Sequence, residues 1–137
     1  MRTSVAIEDV LAIERLINLY GHVFDDADWD RLPELFTEDA TFVVTSFGVA
    51  CNGLSEIERT MRGARHPIAH FATNIVVDVE DGANHARARV KLFAPRRSGR
   101  ALIGTYRDEF ARTSDGWRFS RREVYLVETA WGASRAT

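Results

Sequence analysis

Residues 84–94 alternate without a break. Ala86, Ala88, Val90 and Leu92 fall on one side of an extended chain, and Arg87, Arg89 and Lys91 on the other. A period of two means a strand with one dry face and one wet face. Such a strand belongs in an antiparallel sheet that is covered on one side only. The flanking segments agree. Residues 68–80, 101–112 and 117–127 have strand composition. Glu80-Asp81-Gly82 and Ser114-Asp115-Gly116 are turn signals, and residues 95–99 form a basic loop.

The dry face needs a cover, and residues 5–24 supply one. Ala6, Val10, Ile13, Ile17, Tyr20 and Phe24 recur at steps of four and three, and Ile7, Leu11, Leu16, Leu19 and Val23 widen that stripe. So broad an apolar face suits a helix lying across a sheet. Ser4 is placed to cap it, and Gly21 weakens it locally. Asp28 is placed to cap a second short helix running through Trp29, Pro33, Leu35 and Phe36. Residues 40–47 read as a strand closed by Gly48, Asn52-Gly53 as a turn, and residues 54–63 as a helix with Leu54, Ile57 and Met61 inward. Residues 128–137 form a tail in which Trp131 is an anchor. The sum is an α+β fold, helices packed on a curved antiparallel sheet, whose open end makes an apolar pocket. The length, 137 residues, is that of one domain.

Composition narrows the function. With net charge −2 and no clustering of Lys and Arg, nucleic acid is not an expected partner. No apolar run approaches the roughly 20 residues of a membrane span. The start leads directly into a helical pattern, so no signal peptide is expected, and a single cysteine, Cys51, fits a reducing, cytoplasmic setting. Cys51 lies in an apolar stretch, where packing is a simpler role than that of a nucleophile.

The best candidate for chemistry is His70, on the strand 68–80. That strand puts His70, Ala72 and Asn74 on one face and Phe71, Thr73, Ile75, Val77 and Val79 on the other. His66 and His70 have the spacing of a helical zinc pair, but on a strand they stand about 13 Å apart, too far for one ion. No metal or other cofactor is expected. The acidic turn from Asp25 to Asp30 is not a calcium loop, because Arg31 and Thr37 occupy the places of the required Gly and Glu. Asp25, at the end of the first helix, can reach His70, fix its tautomer and make a base of its other nitrogen. Capping by Asp25 and core packing by His70 fit the spacing as well. Tyr20 is placed either to polarise a substrate oxygen or to pack. Asn74 can donate to a substrate oxygen or bond a loop. Arg122 either faces the cavity or pairs with a carboxylate such as Asp108. The row Arg87, Arg89 and Lys91 is an exposed face or one side of a homodimer.

Together these segments resemble the SnoaL-like branch of the nuclear transport factor 2-like superfamily of cone-shaped α+β proteins. The resemblance is carried by residues 13–20 leading to Asp25, by Asp28-Trp29, by residues 35–42, by His70 to Asp78, by residues 104–110, and by Gly116-Trp117-Arg118-Phe119 with Arg122. The resemblance implies that Asp25 and His70 fall where the superfamily's dehydratases and a dehydrochlorinase carry a catalytic pair. Tyr20 falls on a catalytic tyrosine of the bile-acid dehydratases, and Arg122 on a cavity arginine of the dehydrochlorinase. Asn74, Arg122, Tyr106, Phe24 and Trp29 are the expected contacts of a small, cyclic substrate, largely apolar because the pocket walls are Phe, Leu, Val and Trp. The expected activity is a cofactor-free lyase, with an isomerase, a polyketide-type cyclase or a ligand-binding module as alternatives. A homodimer, or a trimer, is the expected assembly.

Overall fold

A computed structural model describes residues 6–127. The chain runs α1 (Ile7–Asp25), a 3-10 turn (Trp29–Arg31), α2 (Leu32–Leu35), β1 (Phe36–Val44), a second 3-10 turn (Thr45–Phe47), β2 (Val49–Asn52), α3 (Leu54–Gly63), β3 (Phe71–Asp78), β4 (His85–Pro95), β5 (Ala101–Thr113) and β6 (Gly116–Leu126). The strands form one sheet in the order β2-β1-β6-β5-β4-β3. Three helices pack on it, as the α+β reading expects. One pairing departs from the antiparallel expectation: β1 runs parallel to β6, so the sheet is mixed. The two strands are far apart in sequence, and no tight turn dictates their direction.

β4 behaves as its alternation demands. Ala86, Ala88, Val90 and Leu92 are buried, and Arg87, Arg89 and Lys91 are exposed. On α1 the inward stripe is Ile13, Leu16, Ile17, Tyr20, Val23 and Phe24. Ile7 and Leu11, expected to widen it, are instead 70% and 60% exposed, because the core-facing part of the helix begins only at Ile13. Ala6 holds the N-cap position without a side-chain bond, and Ser4 lies outside the described residues. Asp28 likewise makes no capping bond, and the second helix is a single short turn. Phe36 starts β1 rather than ending that helix, and β1 stops at Val44, so the strand begins four residues and ends three residues earlier than expected. The short edge strand β2 has no counterpart in the sequence reading. Trp131 and the tail lie outside the described residues.

β3 differs most from its reading. It begins at Phe71, so His70 precedes the strand instead of sitting within it. Its pairing with β4 slips between Thr73 and Val76, and Asn74 takes a positive φ of 51°. This bulge resets the alternation. Ala72, Ile75 and Val77 pack toward the core, while Phe71, Thr73, Asn74 and Val76 face outward. Among the described residues no helix is long and apolar enough to cross a membrane.

Candidate active site

The end of α1 crosses the segment that leads into β3. Gly21 makes the crossing possible, since a Cβ there would lie 2.8 Å from the His70 carbonyl oxygen. The same approach brings Asp25, one helical turn on, against His70. The His70 backbone N–H donates to Asp25 Oδ2 at 3.2 Å, and its ring Nδ1 lies 2.7 Å from Asp25 Oδ1. A carboxylate only accepts, so the ring proton resides on Nδ1 and the lone pair on Nε2. The His70 side chain is 11% exposed and that of Asp25 27%.

Burial pulls the His70 imidazole below its usual 6.5. The Asp25 hydrogen bond and charge oppose that, the nearby charges of His66 and Arg122 add to it, and the net direction is downward. The ring is therefore neutral near pH 7.

His70 stands between two cavities. One, of about 140 Å³, is walled by Phe42, Val44, Met61, Leu92 and Val124, with Phe24 beside His70. The other, of about 290 Å³, is bordered by Asp25, Gly21 and Ala72. Tyr20 and Tyr106 line both. Their rings lie 5.8 Å apart, and Tyr20 meets the His70 ring edge-on at 6.0 Å. Burial raises the Tyr20 hydroxyl well above its usual value and that of Tyr106 to about 12. Both phenols keep their protons and act as donors.

Three expected ligand-binding residues are placed elsewhere. Asn74 sits on the outward bulge of β3, where its side-chain oxygen accepts from Thr73. Trp29 packs behind the cavity, its ring 5.2 Å from Phe24 and 5.1 Å from His66. Arg122 is fully buried and pairs with Asp108 through two 2.8 Å bonds. Its Cζ lies 3.5 Å from the Tyr106 ring centroid and 4.2 Å from that of Tyr20. The guanidinium therefore forms a floor beneath the two tyrosines, not a wall of the cavity. Burial works against its charge, and the Asp108 carboxylate prevails, keeping it protonated.

His66 enters as an aromatic wall that the sequence reading considered only for zinc. Its Nε2 donates to the Met61 carbonyl at 2.9 Å, and its ring is 6.3 Å from that of His70, closer than a continuous strand would allow. Among the described residues no group of three or more His, Cys, Asp or Glu is arranged to hold a metal ion. Cys51 is buried on β2 and its Sγ donates to Thr60 at 3.3 Å, a packing role.

Comparison with known proteins completes the description. The model of the SnoaL-like domain matches residues 5–123. The uncharacterised protein Rv2910c of Mycobacterium tuberculosis is 30% identical, covering 89% of this chain and 88% of the relative. An NTF2-like protein of cystatin-like fold from Novosphingobium aromaticivorans is 33% identical over 95% of this chain and 88% of its own, with a TM-score of 0.76. A second protein of that organism, provisionally named an aromatic ring hydroxylase, is 30% identical over 90% and 92%, with a TM-score of 0.75. A third, provisionally named a scytalone dehydratase, is 24% identical over 88% and 85%, with a TM-score of 0.73, and shows likeness of fold alone. The chain belongs to the SnoaL-like family of the NTF2-like superfamily.

Proposed function

We propose that the chain is a lyase that eliminates a leaving group from a small, cyclic, largely apolar molecule, with His70 as the base. The observation that carries this reading is the 2.7 Å bond from Asp25 to His70 Nδ1, set beside an apolar cavity. In the step proposed, Nε2 takes a proton from the carbon next to the leaving group. The C–H electron pair becomes the new double bond, and the leaving group departs with its own bonding pair. If that group is hydroxide, a proton from Tyr20 or Tyr106 converts it to water. Asp25 balances the imidazolium formed, and Arg122 steadies the tyrosines from below through their ring faces. The residues supply a base and an acid, and an elimination of this kind requires nothing more. An isomerase or cyclase would use the same base.

Turnover should be sought with small cyclic β-hydroxy ketones and halides, and the product weighed. Loss of water or hydrogen halide supports the lyase, whereas an unchanged mass reassigns the chain to isomerisation. His70→Gln should lower turnover by about 10²- to 10⁴-fold, the usual contribution of a positioned base. Full activity in that variant would refute the role of His70.

A further inference from the structure

Beside the apolar cavity lies a vestibule of about 610 Å³ lined by Arg65, Arg96 and Arg97, with Ser98 from the same β4–β5 loop. Phe47, Arg65, His66, Pro67 and Leu102 line both spaces, so the two adjoin. Two features set this vestibule apart. Among the described residues its lining holds no carboxylate, whereas the groove on the outer sheet face mixes Arg87, Arg89 and Arg107 with Asp78, Glu109 and Glu123. Elsewhere Arg62 holds Asp30 and Glu58, Arg112 holds Asp9, and Arg121 holds Glu123. Arg65 and Arg97 make no ion pair among the described residues. This local cationic surface stands on a chain whose net charge is −2.

The loop is also well placed. Ile68 N–H donates to the Pro95 carbonyl at 2.8 Å, tying the segment that leads to His70 to the start of the basic loop, which its own Arg96–Arg100 bond closes at 2.9 Å. The basic loop is thus tied to the segment that carries His66 and His70.

We propose that the vestibule binds an anionic group, a carboxylate or phosphate, carried by the ligand at the end remote from the reacting carbon. The ligand is then an amphiphile, with an apolar ring in the cavity and an anion beside Arg65 and Arg97. This deepens the reading above and rests on it only for which end of the ligand meets His70.

The test uses three probes with one apolar body: phenylbutanol, phenylbutyrate and phenylbutyl phosphate, titrated calorimetrically at low salt. At least one anion should bind about tenfold more tightly than the alcohol, the scale of one well-placed charge-assisted contact. The tighter of the two anions identifies the headgroup. Its advantage should shrink as salt is added. In the double variant Arg65→Gln, Arg97→Gln the advantage of the anion over the alcohol should vanish. Equal binding of all three probes by the native chain, absence of anion binding, or an advantage that survives in the double variant would overturn the proposal. These titrations involve no turnover, so failure of the elimination chemistry leaves this result readable, and the reverse also holds.

Discussion

At the scale of single residues, the pair Asp108–Arg122 shows how charge is used inside this core. Both side chains are fully buried, yet only one edge of the guanidinium meets the carboxylate; Nη1 has no acceptor among the described residues, and the rings of Tyr20, Tyr106 and Phe119 meet the cation. Breaking such a pair strands a charge in a dry place and costs roughly 3–5 kcal/mol, while replacing both partners with apolar groups of similar size costs far less. Asp108→Asn alone should therefore destabilise the chain by roughly that amount in urea unfolding, and Asp108→Leu with Arg122→Met should recover most of the loss. A single variant as stable as the native chain would show that the pair is not ionised. The burial of Arg122 was not legible in its sequence neighbourhood, because arginines on strands ordinarily reach solvent. Its pairing with Asp108 was one of the two readings left open.

At the scale of elements, the contact of α1 with the start of β3 sets the site. Gly21 reads in sequence as a flaw in a helix. In three dimensions it is the place where the helix meets the His70 carbonyl. Two effects compete in Gly21→Ala. Helix propensity alone would stabilise the chain by roughly 1 kcal/mol. The new methyl, 2.8 Å from a backbone oxygen, would force the helix and the segment apart. The clash should win, so the variant should be less stable than the native chain in urea unfolding and should lose the effect of Asp25 on the titration of His70. A more stable variant would contradict the close approach.

The strands differ in legibility for a related reason. β4 could be read from alternation because one face is dry along its whole length. β3 could not be read so, since the bulge at Asn74 breaks the period. β2 has only four residues, and Phe36 suits the end of a helix as well as the start of a strand. Asp25 and His70 were legible as candidates from spacing and resemblance. The exclusion of Asn74, Trp29 and Arg122 from the cavity depended on bulge and packing geometry that residue types do not carry.

At the scale of the whole molecule, the outer sheet face is ordered in rows. Phe71, Phe93 and Ile103 lie side by side on β3, β4 and β5, with Val127, just past the end of β6, beside Ile103, each about half exposed. Further along, Asp78, Arg87, Glu109 and Arg121 form a row of alternating sign. We propose that a second copy of the chain covers this face, because alternating charges beside an apolar row can complement themselves under a two-fold axis. Light scattering should give the mass of a dimer for the native chain and of a monomer for Phe93→Glu with Ile103→Glu. A native mass of one chain would end the proposal.

The central claim is that Asp25 holds the His70 ring, fixing its tautomer and opposing the effect of burial on its titration. It is tested most directly by following the His70 ring by NMR across pH, in the native chain and in Asp25→Asn. In the native chain burial lowers the titration below 6.5 and Asp25 partly restores it. Removing the carboxylate should therefore move His70 to still lower pH. The linked stability has the same sign. A folded value below the unfolded one means that the unfolded state binds more protons between the two, so stability falls as the pH drops from about 6.5 to the folded value. That loss should reach to lower pH, and so be larger, in Asp25→Asn. A clear downward shift supports the base proposed for this site. Identical titrations in the two proteins would mean that the carboxylate and the imidazole do not interact, and the chain would be left with a ligand pocket and no oriented base.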